Sequence, residues 1–184
     1  LMAKLQALHD GKACPNILGA VEALYVIEKA HELRKKGDYV GIVRLLTDVT
    51  DAEGHMHGCR SAWEMIRPTR ETSYADANKK HEVALVAAGC LEAVIQCMQS
   101  HPEHVGVQAE GCFALMCLVG ESAHAVRVAE AGAIDVILAA MSQHTDSTAV
   151  QQYACMALGS VADGANANQR TIATKGGIDC IITT

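Results

Sequence analysis

The sequence predicts an all-α protein built as a stack of three-helix repeats, and three observations carry that prediction. The first is self-similarity at a fixed period. "VAAGCLEAVIQCMQSHPEHVGVQAEGCFALMCLVG" answers "AEAGAIDVILAAMSQHTDSTAVQQYACMALGSVAD", and "ATKGGIDCII" opens a third copy. Anchored on Gly89, Gly132 and Gly176, the periods are 43 and 44 residues. The second is an internal ruler that also detects a degenerate copy beginning at Gly37. Gly37 to Ala62, Gly89 to Ala114 and Gly132 to Ala157 each span 25 residues, and the next position is Trp63, Leu115 or Leu158. Nine residues after the same anchors stand Leu46, Met98 and Met141. The third is composition: half the chain is apolar, yet it holds one Phe, one Trp and four Tyr. A core of Ala, Val, Ile, Leu, Cys and Met suits closely packed helices better than a β-sandwich.

Taken in order, residues 1–36 form an N-terminal helical segment. Its "AVEALYVIEKAHELRKK" is long and amphipathic, and it serves either as the first helix of the Gly37 copy or as a cap. Residues 37–78 are the degenerate repeat. It carries an insertion near 68–78, around "RPTRETSYADAN", where Pro68 and a polar run stop the helix. Residues 79–121 and 122–164 are full repeats, and 165–184 is a truncated one. In each unit a short helix ends at the anchor Gly, a natural C′ residue because it accepts positive φ without a Cβ clash. A second helix follows, with Glu92, Asp135 or Asp179 in its first turn, where an acid complements the helix dipole. The apolar pairs Val94/Ile95, Ile137/Leu138 and Ile181/Ile182 are expected to face inward. A loop containing "SHPE" or "HTDS" then leads to the third helix, roughly 103–119 and 147–162. There Gly111 with Ala114, and Ala154 with Ala157, allow a neighbouring helix to approach closely.

Several function classes are excluded at this level. A formal net charge of −6 argues against a nucleic-acid footprint, and the densest basic stretch, "ELRKKGD", is short enough to be a solvated helix end. No apolar run approaches the ~20 residues of a membrane helix, so no membrane span is expected. Six of the eight Cys fall inside apolar helical patterns, where a thiol acts as a small hydrophobe. No CxxC occurs, and the thiols read as reduced, in a cytoplasmic protein. "GHMHGC" resembles a metal site until it is set on the ruler. His55 then matches Val107 and Val150, Cys59 matches Gly111 and Ala154, and a helix turns His57 about 200° away from His55. His101 and His144 share the slot 12 residues after their anchors, which argues for a structural or solvated role. No metal and no cofactor is expected. No GxSxG, HExxH, P-loop or GxGxxG occurs, and no catalytic residue is assigned.

Three helices in about 43 residues, with a Gly turn between the first two, resemble the armadillo repeat; "EAGAIDVILAAM" and "VQQYACMALGSVA" carry the likeness. It covers roughly Gly37 to the end. It implies a right-handed α-solenoid whose third helices line a concave face that binds a protein or peptide partner. Armadillo proteins of the importin-α type carry there a Trp and, four residues later, an Asn. The matching pairs here are Ser61 and Met65, Phe113 and Cys117, Met156 and Ser160, so no Trp–Asn pair exists and Trp63 lies two residues out of place. Recognition of nuclear-import cargo is therefore not expected. With Glu110, Gln152 and Tyr153 nearby, these residues are the candidate binding surface of a non-catalytic scaffold or adaptor. The alternative is a regulatory helical-repeat domain of a larger enzyme or GTPase-containing chain. The uncovered apolar helix of the truncated repeat adds an expectation of self-association. Starting at Leu and stopping at "CIITT", the chain reads as a piece of a longer one.

Overall fold

The computed structural model describes residues 15–66, 74–119 and 122–182. Among these every regular element is an α-helix, and there is no strand. The order is α1 (Pro15–Lys36), α2 (Tyr39–Asp48), α3 (Ala52–Ile66), α4 (Tyr74–Ala87), α5 (Cys90–Ser100), α6 (Val105–Val119), α7 (Ser122–Glu130), α8 (Ala133–Gln143), α9 (Thr148–Ala162), α10 (Asn166–Thr174) and α11 (Gly177–Ile182).

Each anchor glycine lies where the left-handed conformation is needed to reverse the chain between helices. Gly37, Gly89, Gly132 and Gly176 have φ of 65°, 89°, 89° and 80°. At Gly132 the amide donates to the Ala129 carbonyl at 3.0 Å, closing the end of α7. A Cβ added at Gly132 meets nothing within 4 Å, so Gly132→Ala is opposed by backbone strain alone. The expected cost is about 1–2 kcal/mol, read as a lowered urea midpoint with an unchanged slope. Gly164, which the ruler does not mark, also has positive φ (66°) and turns the chain from α9 to α10.

Polar side chains start several of the other helices. The Gly41 amide donates to Asp38 Oδ1 at 2.8 Å, the Gly54 amide to Asp51 Oδ1 at 2.9 Å, and the Val107 amide to His104 Nδ1 at 3.2 Å. His104, and Ser147 whose hydroxyl accepts from the Val150 amide at 3.4 Å, set the third helices a residue or two inside the expected starts, at Val105 and Thr148.

The ruler reads out the core. Leu46, Met98 and Met141 are buried, as are Ala62, Ala114 and Ala157, so the third helices meet their neighbours over a small side chain. Gly111 acts likewise: a Cβ there would stand 2.5 Å from Met98 Cγ, so any larger residue requires the Met98 side chain to shift. The main helix contacts run within one copy or to the next copy, the quasi-one-dimensional packing compatible with an α-solenoid. The helices α3, α6 and α9 form one row, and α1 packs along α3 as α3 packs along α6. The end of α1 thus leads into the first Gly turn while its length covers the row.

One buried polar device was not expected. Gln108 Nε2 donates to the Met98 and His101 carbonyls, both at 2.9 Å, and Gln151 Nε2 donates to the Met141 and His144 carbonyls at 2.8 and 2.9 Å. Each glutamine, 19 residues past its anchor, ties the third helix to the last turn of the second. In the first copy that position is Met56.

Two expectations need correction. The residues assigned to an insertion are partly helical: α4 begins at Tyr74 and has 14 residues, against 9 in α7 and in α10. The extra chain therefore lengthens a first helix as well as any loop, and 67–73 lies outside the described residues. Secondly, Val94, Ile95, Ile137 and Leu138 are buried, whereas Ile181 and Ile182 are 44% and 75% exposed, because no described helix covers the outer side of α11.

Candidate functional site

The row α3–α6–α9 carries a continuous strip of half-buried aromatic rings. Trp63 meets Phe113 edge-on with centroids 4.8 Å apart and planes at 79°, and Phe113 meets Tyr153, tilted at 58°, also at 4.8 Å. One ring comes from each helix. They lie 26, 24 and 21 residues past their anchors, so the strip crosses the row diagonally.

Glu110 fixes one end of it. Its carboxylate accepts from the Trp63 indole Nε1 at 2.8 Å and from Arg60 Nε at 3.0 Å, with Arg60 Nη2 on the same oxygen. The Glu110 side chain is only 14% exposed, and it holds the Arg60 guanidinium above its ordinary pKa, burial opposing. A second ion pair, Arg34–Glu64, ties α1 to α3. The indole is therefore held in one orientation by a charged acceptor on the next helix.

The structure divides the candidate residues into three groups. Glu110, Phe113 and Tyr153 come together in the strip. Met156, 44% exposed, and Gln152 stand free on α9, while Cys117 and Ser160 are half-buried on the same row. Burial and the nearby Glu82 push the Cys117 thiol up to about 12, so it presents a neutral sulfur. Ser61 and Met65 do not belong to a surface. Both are buried, and the Ser61 hydroxyl donates to the His57 carbonyl at 2.7 Å, in a part of α3 that packs against α1. The degenerate copy thus contributes Arg60 and Trp63 in their place. The signal for these two was present: Arg60 and Trp63 stand at i,i+3 on α3, and Glu110 opposes them on α6.

The histidine-rich stretch is helical throughout, as part of α3. His55 and Cys59 are buried and His57 is half-exposed. Among the described residues no three His, Cys, Asp or Glu side chains converge to hold a metal ion, and no single helix is long and apolar enough to cross a membrane. Compared with family models, curated proteins and solved structures, the chain matches none of them.

Proposed function

We propose that the chain is a non-catalytic scaffold of armadillo-like repeats that binds an extended or helical segment of a partner protein along α3, α6 and α9, the concave face of a right-handed solenoid. The observation that carries this reading is the aromatic strip Trp63–Phe113–Tyr153, half-exposed and spanning three successive repeats. Aromatic anchors supply large contact area with few rotors, and one fixed in advance by a hydrogen bond loses less freedom on binding. Met156 beside the strip gives it an adaptable apolar edge, and Gln152 a polar one. The surface suits a segment that lays apolar side chains across the rings at successive turns.

Affinity purification from the source cells tests the proposal, comparing the wild-type chain with Phe113→Glu/Met156→Glu. The expected result is a protein partner that the wild type retains and the double variant loses, with helicity by circular dichroism unchanged. The same partners on both chains would move the interaction off this face, and no partner on either would make the segment an internal structural element.

A further inference from the structure

The spacing and hydrogen bonding of the aromatic strip select the conformation of a segment that would cover it. Successive rings from Trp63 through Phe113 to Tyr153 stand 4.8 Å apart, twice in a row. Side chains on one face of an α-helix recur about every 5.4 Å, one turn, whereas those on one face of a strand recur about every 6.6 Å. Across two steps a helix drifts from the rings by about 1 Å and a strand by about 3–4 Å. Any bend of the strip at Phe113 shortens it and widens the mismatch of the strand.

An extended segment must also find partners for its main chain, while a helix pairs its own N–H and C=O groups internally. The strip has little to give. The indole of Trp63, the one tryptophan of the chain, already donates to Glu110, and Phe113 and Met156 carry no N–H or O–H. Gln152 and the Tyr153 hydroxyl supply such groups only at the α9 end.

The α3 end is charged. Arg60 is 44% exposed and its partner Glu110 14%, so beside Trp63 the surface shows the guanidinium and hides the carboxylate. Arg60 uses Nε and Nη2 on a single Glu110 oxygen, and among the described residues its Nη1 meets no acceptor. A groove of about 480 Å³ between α3 and α1 continues from there, lined by His31, Arg34, His57 and Arg60 and by Glu28 and Glu64. Arg34 holds Glu64, and Glu28 stands on α1, on the other wall from Arg60. The formal charge of −6 disfavours an acidic partner at long range, but charges beyond about 8–10 Å are screened at physiological salt, and the exposed charge beside Trp63 is positive.

Resting on the scaffold reading, we propose that the strip is covered by an amphipathic α-helix of a partner protein. Apolar residues one turn apart lie over Tyr153, Phe113 and Trp63, and a carboxylate within one turn of the residue over Trp63 pairs with Arg60.

The test selects a displayed random peptide library, about 16 residues long to allow four turns and free of tryptophan, on the full chain. Binders are synthesised and titrated by Trp63 fluorescence, with helicity followed by circular dichroism. The expected binders carry apolar residues every three or four positions and one acid, gain helicity on binding, and are lost on Phe113→Glu/Met156→Glu. Lysine in place of the acid weakens them about tenfold, and a proline at the centre about a hundredfold. Binders that need Phe113 yet alternate apolar residues, tolerate the proline or ignore the lysine would overturn this inference and leave the scaffold reading standing. Binders that the double variant retains, or no binders, would overturn both. A second copy of the chain on the strip, seen in sedimentation as a dimer that the double variant dissolves, would also overturn it.

Discussion

Replacing Gln151 with leucine is expected to lower the unfolding free energy by about 1–3 kcal/mol. The side chain is buried, and its amide nitrogen supplies the hydrogen bonds at 2.8 and 2.9 Å to the Met141 and His144 carbonyls. Leucine fills similar volume and donates nothing; the His144 carbonyl keeps the Ser147 amide at 3.0 Å, but the Met141 carbonyl stays buried without the glutamine donor, at about 1–3 kcal/mol. Chemical denaturation measures the loss. Gln152→Leu, one residue along and exposed, is the control and should fall within about 0.5 kcal/mol of wild type. Gln108→Met should cost less than Gln151→Leu if the α5–α6 junction tolerates the residue that Met56 supplies in the first copy. Equal stability of Gln151→Leu and wild type would mean that solvent reaches these carbonyls.

Leu115→Ala is expected to cost about 3–4 kcal/mol. Leu115 is fully buried on α6, the helix that packs against both α3 and α9, so a cavity there loosens two neighbouring interfaces at once. The equivalent position in the first copy, Trp63, is half-exposed, and Trp63→Ala should cost less despite deleting a larger side chain. Thermal unfolding of both variants in one buffer gives the ordering. A larger loss at Trp63 would show that the aromatic strip is a structural seam of the core.

What the sequence made legible follows from the kind of signal each feature leaves. A period of 43 or 44 residues with a constant offset to a small side chain reports which positions meet a neighbouring helix, and Ala62, Ala114 and Ala157 are all buried as that rule requires. The anchor glycines were equally visible, because positive φ leaves few other choices. The glutamine clamps were not. Gln108 and Gln151 do repeat, but hydrophobic patterning carries no information about which polar residue is buried to satisfy carbonyls. The aromatic strip was missed in part for a geometric reason: its rings shift by two or three positions per repeat, so matching equal offsets discards Trp63 and selects Ser61 and Met65, which are buried. The start of α4 at Tyr74 was obscured because "YADAN" mixes good and poor helix formers, and packing against α3 and α5 decides the outcome.

The most direct test of the account places a photo-crosslinking residue at Met156, on the α9 edge of the strip, or at Ala139, exposed on α8. Both chains are irradiated with the protein that co-purifies with the wild type. The account predicts an adduct at position 156 and none at 139. An adduct at 139 alone, or at neither position, would contradict the placement of the binding surface on the row α3–α6–α9.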